Sequence, residues 1–247
     1  ASGKYPLLPY FIAVRNGDDQ WLETVIDGNE HVIRARFADA TFFVREDIKK
    51  PLADYLPRLN TLTFQARLGS MLDKTQRITR LVDKLIPMLG LNEAESAVAR
   101  RAAELCKADL ATSMVVDMTS LQGLMGAYYA LNSDESEEVA QAIFEHYLPR
   151  YTGDQTPSSR AGLVVSLADR LDSLAGLFAA GLAPSGNKDP FAQRRAALGL
   201  VQNLMAWDLD FDLRGALEAA AAYLPVEATP ETRQAVLEFI QERLRNT

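Results

Sequence analysis

Apolar residues recur at helical spacing along most of this chain, and the clearest run lies between Ser158 and Gly199. Leu163, Leu167, Leu171, Leu174 and Phe178 mark one helix, with Ser158 or Ser159 as its N-cap and Gly181 at the left-handed C-cap position. Ala183–Asn187 (APSGN) reads as a loop. Asp189-Pro190 then predicts the restart of a second helix, since a side-chain cap followed by a proline suits a first helical turn. Leu68–Leu89 has the same character: Leu68, Met71, Ile78, Val82, Leu85, Ile86 and Leu89 share one face. Arg67, Ser70, Lys74 and Arg77 line the adjoining flank, which reads as solvated cations or as an edge facing a polyanion.

The remaining pattern predicts further helices. Asn92 caps an alanine-rich helix over Glu93–Cys106, and Lys107–Ala130 reads as one long helix despite Gly123 and Gly126. Another runs through Ile143 and Tyr147, and two more cover Leu213–Leu224 and Thr229–Leu244. Tyr10–Arg15 (YFIAVR) is the strand candidate, closed by Asn16-Gly17. A short helix follows over Trp21–Ile26, and a second starts at Asn29. Pro51 and Pro57 break it up and set a soft boundary. The expected fold is mainly α, with a small strand-containing segment over 1–57 and a multi-helix domain over 58–247.

Composition narrows the function. The 247 residues are 48% hydrophobic, enough for a substantial core, and no apolar run approaches the length of a membrane span. One cysteine, Cys106, permits no internal disulfide and fits a reducing, cytoplasmic setting. The net charge of −7 argues against indiscriminate nucleic-acid binding. Charge is uneven, however: Arg58, Arg67, Lys74, Arg77, Arg80 and Lys84 face only Asp73 and Asp83 over residues 58–84, while residues 208–247 are acidic. Lys188, Arg194 and Arg195 crowd the start of the second central helix, where the helix dipole favours anions. They either pair internally, with Asp189, Asp169 or Asp172, or meet an external phosphate.

Several stretches carry a resemblance. ADRLDSLAG with SGNKDPFAQRRAALG, KADLATSMVVDMTSLQGLMGAYYA (Lys107–Ala130), GNEHVIRARFADATFF (Gly28–Phe43) and LGSMLDKTQRI (Leu68–Ile78) resemble the beta subunit of bacterial two-subunit glycyl-tRNA synthetase. That resemblance implies an internal part of a longer chain, acting in the cytoplasm beside an alpha subunit that holds ATP, Mg and glycine. It implies tRNA(Gly) as the ligand and no cofactor within this part. It places Lys188, Arg194, Arg195, Arg67, Lys74 and Arg77 near the acceptor end of the tRNA.

The helices around ADRLD also resemble the HD phosphohydrolase fold, whose active members hold a metal through a His, a His-Asp pair and a later Asp. Cys106-Lys107 stand where the His-Asp pair is needed, and a protonated lysine cannot ligate a metal. His146 is followed by Tyr147 and not by Asp, leaving Asp169 as a vestigial position whose expected partner is Arg170 or Lys107. No phosphate-cradling loop and no serine with His and Asp partners is present. The expectation is therefore a non-catalytic, tRNA-binding part of an enzyme. The alternatives are a metal-dependent phosphohydrolase acting on nucleotides and a scaffold that docks the alpha subunit.

Overall fold

Helix α7, Arg160–Ala179, has fifteen of its twenty residues buried, which makes it the axis of the fold and not a surface helix. The chain is described here from a computed structural model over residues 8–151 and 153–245. Among these residues it is mainly α, with ten α-helices and one antiparallel hairpin. By packing, it divides into the units Ala1–Arg45 and Glu46–Thr247. In the larger unit α7 packs against α2 (Met71–Met88), α3 (Glu93–Leu105), α6 (Glu137–Glu145), α8 (Gln193–Ala206), α9 (Leu213–Ala221) and α10 (Pro230–Arg245). Leu163, Leu167, Leu171 and Leu174 are fully buried on it. Its start is double-capped: Ser159 accepts from Gly162, while Glu145 accepts from the backbone and hydroxyls of Ser158 and Ser159. Gly181 ends it at φ +77°, as the pattern predicts.

Four expectations are corrected. Tyr10–Arg15 is not a strand; it has no regular structure and is unpaired among the described residues, and the hairpin instead joins β1 (Thr63–Gln65) to β2 (Gly69–Ser70). The two N-terminal helices are one, α1 (Leu22–Asp47), because Gly28 meets no steric demand for a break and Asn29 bonds back to the Val25 carbonyl instead of capping. Helix α2 begins at Met71, three residues late, because Ser70 and Asp73 form a reciprocal capping box that leaves Arg67 and Leu68 in the hairpin turn.

The fourth concerns Lys107–Ala130, which is not one helix. It breaks into a 3-10 turn (Ala108–Ala111), α4 (Ser113–Asp117), a second 3-10 turn (Thr119–Leu121) and α5 (Leu124–Leu131). Two buried carboxylates outcompete a continuous helix there. Asp47 accepts from the amides of Ser113 and Met114, and Asp109 from those of Gly123 and Gly126. Gly123 sits at φ +79°, and a Cβ on it would fall 2.4 Å from the Tyr147 ring. The helices α3, α9 and α10 lie close to their predicted spans. The chain end at 246–247 falls outside the described residues.

Candidate functional site

Two features of the larger unit hold the residues singled out by sequence: a buried charge cluster under α7, and a cation-bearing loop ahead of α8. The cluster is built from four helices or helix ends. Helix α2 contributes Lys74 and Arg77, and the end of α3 contributes Lys107. The end of α6 contributes His146, and α7 contributes Asp169 and Asp172. The Lys107 Nζ lies 2.7 Å from Asp169 Oδ2, 2.8 Å from His146 Nε2 and 4.1 Å from the centre of the Tyr147 ring. The Lys74 Nζ lies 2.9 Å from Asp169 Oδ1 and donates to Asp172 Oδ2 at 3.0 Å and to the Ser173 hydroxyl at 2.8 Å. Arg77 Nε donates to Asp172 Oδ1 at 2.6 Å.

Electrostatics follow from that geometry. Burial by itself would raise the Asp169 carboxyl, but the Lys107 and Lys74 ammoniums hold it well below the usual carboxylate range. Burial likewise works against the charge on Lys74, and Asp169 and Asp172 outweigh it. Burial, reinforced by the Lys107 charge, drives the His146 imidazole well below 6.5. Burial also pushes the Cys106 thiol up to about 12, so it is a packed side chain and not a nucleophile. Next to Asp169, Arg170 turns to the other side and donates to the carbonyls of His146, Tyr147, Leu148 and Pro149.

This corrects the reading of Lys74 and Arg77. Both are buried and engaged by carboxylates from α7, so neither belongs to an exposed flank. Asp169 does pair with Lys107, one of its two expected partners. The metal-ligand set does not fit a cation here: the only imidazole in the cluster is bonded to an ammonium, and a second ammonium touches Asp169. Sequence reasoning set His146 aside for want of a following Asp. Its only local signal was a position at the end of an apolar helix, and its partner Lys107 lies 39 residues away along the chain.

The loop expectation also changes in detail. Helix α8 starts at Gln193 and not at Asp189-Pro190, because Asp189 caps from further upstream: its carboxylate accepts from the amides of Gln193 and Arg194 at 2.8 and 2.9 Å. Ala192 turns left-handed between them, at φ +52°. Arg194 donates to the Gly186 carbonyl at 2.6 Å and stands 3.9 Å from Asp189, so it is partly spent internally. Lys188 and Arg195 are exposed. Arg67 is exposed too, with one N–H on the Ala180 carbonyl.

Arg195 stands where two clefts meet. The smaller, about 240 Å³, has Asp169, His146 and Phe191 on its wall; the larger, about 780 Å³, is lined by Arg150, Tyr151, Arg194 and Arg195. Phe191 and Tyr151 are exposed, and Arg150 is held by Asp154. Arg194, Arg195, two aromatic faces and Arg150 therefore line two clefts that share Arg150 and Arg195.

The family described as "Glycyl-tRNA synthetase beta subunit" matches residues 2–247, nearly the whole chain. The chain belongs to that family. Among the glycyl-tRNA synthetase beta subunits it resembles, the glycine–tRNA ligase beta subunit of Trichodesmium erythraeum is 50% identical over 215 residues, covering 87% of this chain and 30% of the relative. That of Clostridioides difficile is 46% identical over 242 residues, covering 97% and 35%. The Pseudomonas putida subunit is 44% identical over 240 residues, again covering 97% and 35%. The chain thus spans about a third of the length of the beta subunits it matches. No helix among its described residues is long and apolar enough to cross a membrane.

Proposed function

We propose that this part of the beta subunit binds tRNA(Gly) near its acceptor end and positions it for glycylation by an alpha subunit. The alpha subunit would hold ATP, Mg and glycine in a cytoplasmic enzyme, and this part would supply no cofactor site of its own. The observation that carries the reading is exposed Arg195 at the meeting of two clefts that also present half-exposed Arg194, Phe191 and Tyr151, with exposed Lys188 on the loop just ahead of them in sequence. Arginine forks and a mobile lysine suit phosphates, while aromatic faces suit the unpaired bases of an acceptor end. Arg67 is a further candidate contact. Lys74 and Arg77 take no part, since their charges are already met inside the protein. The Lys107 ammonium between His146 and Asp169 weighs against a metal-dependent phosphohydrolase.

The test is tRNA binding by the holoenzyme over a salt series, with Lys188→Ala, Arg194→Ala and Arg195→Ala. A variant that gives up one phosphate should show a slope of log affinity against log salt shallower by roughly 0.7–0.9. The melting temperature should stay near wild type for Lys188 and Arg195, and fall slightly for Arg194, whose bond to Gly186 is removed. Unchanged affinity and slope in all three would leave the loop a structural element, as a scaffold role requires.

A further inference from the structure

Twelve of the twenty large apolar side chains that stand exposed among the described residues lie between Leu8 and Ile48, in about a sixth of the chain. Nine of them fall on two pieces of this stretch. The first is the irregular run Tyr10–Val14, where Tyr10 is 82%, Ile12 95% and Val14 96% exposed. Among the described residues, none forms a backbone or side-chain hydrogen bond with residues 8–14. The second is α1, on which Leu22, Ile26 and Phe37 share one stripe with half-buried Val25, Ile33 and Phe43. Its sole buried residue is Asp47.

We infer that Tyr10–Val14 is an interior strand of a β-sheet whose other strands come from the part of the beta-subunit polypeptide outside residues 1–247, and that the apolar stripe of α1 packs on that same region. Five consecutive apolar residues bounded by Pro9 and Asn16-Gly17 suit a strand covered on both faces, not an edge strand with one face in water. A run of unpaired amides and carbonyls beside apolar side chains is also a template for strand addition. The remaining described residues offer no sheet for it, since β1 and β2 are three and two residues long and already paired. The occupant is assigned to the same polypeptide because the beta subunits this chain matches are about three times as long. An apolar surface of this extent is seldom left to water on a soluble chain. The inference rests on family membership alone and is independent of the proposed tRNA contacts.

Hydrogen exchange on the complete beta subunit tests it, first alone over a range of concentrations and then with the alpha subunit. The amides of Phe11–Val14 are expected to exchange at least about a hundredfold more slowly than an unstructured chain, in the beta subunit alone and at every concentration. Protection that appears only with the alpha subunit would overturn the inference in favour of an intersubunit contact. Protection that grows with beta-subunit concentration would overturn it in favour of a second copy. Rapid exchange throughout would overturn it outright. Val14→Thr supplies a second readout that keeps the shape of the side chain. In a covered strand the added hydroxyl lowers the melting temperature of the complete subunit by several degrees, whereas at a 96% exposed position it leaves it unchanged.

Discussion

Lys107 and His146 share a hydrogen bond of 2.8 Å between Nζ and Nε2 in the interior of the larger unit. An ammonium has only protons to offer, so Nε2 is the acceptor. The ring proton therefore sits on Nδ1, which donates to the Ile143 carbonyl. The imidazole is neutral and held so by its neighbour. Three cations then face two carboxylates across α2, α3 and α7, and the histidine joins them without adding charge.

Acid stability should record that bond. The folded pKa of His146 lies well below its unfolded value of about 6.5, so the unfolded chain takes the proton first. Its contribution to stability is complete above pH 6.5 and falls as the pH drops below it. Asp109 has the opposite sign. Burial raises its carboxyl to about 6 from 3.8, so folding takes up a proton between those values and its contribution falls as the pH rises through them. Melting temperature against pH should therefore lose its rise between about 5 and 6.5 in His146→Gln and fall with pH instead, since Asp109 is then the one of the two still titrating there. In Asp109→Asn it should be steeper, because the compensating group is gone. A wild-type slope in His146→Gln would show that the ring titrates normally.

Removing the Lys107 ammonium leaves Asp169 with Lys74 alone. Lys107→Met keeps the bulk of the side chain and should cost about 3–5 kcal/mol, as for a buried pair broken on one side. Adding Asp169→Asn should restore part of that stability. Denaturant titration of the three proteins measures both. A cost under about 1 kcal/mol would mean that water enters the cluster.

Arg170 and Gly199 form a further pair to test. A Cβ on Gly199 would lie 2.9 Å from Arg170 Nε, although glycine inside a helix normally costs about 1 kcal/mol against alanine. Gly199→Ala should therefore destabilise in spite of the better helix former. Arg170→Lys should cost about 2 kcal/mol or more, since an ammonium cannot reach the four carbonyls of residues 146–149 at once. Chemical denaturation reads both signs.

Elements governed by local chemistry were legible. Ser159 and Gly181 delimit α7, Asn92 caps α3, and each works through atoms within a few residues. What failed was governed from afar. The periodicity of α2 places Lys74 and Arg77 on a flank but says nothing of Asp172, 98 and 95 residues on, which turns that flank inward. The pattern over Lys107–Ala130 is helical, yet Asp47 and Asp109 draw its amides into separate turns. At the loop, Asp189 was legible as a cap, but its reach over two further residues to Gln193 was not. The identity of the loop cations came from the sequence; that Arg150, Tyr151 and Phe191 line clefts meeting at Arg195 came only from the fold.

Cys106 gives the chain a built-in stopwatch. It is its one thiol, it is wholly buried, and burial holds it protonated up to about 12. A thiol reagent added to the native protein has no thiolate to attack, and reaction must wait for α3 to part from the helices around it. The rate of labelling in native buffer thus measures how often the interior opens, without denaturant and without an engineered reporter residue. A cysteine placed at Lys188 or Arg195 would be labelled at once while Cys106 stayed silent. Exposure of the loop and opening of the core can then be timed separately in the same sample.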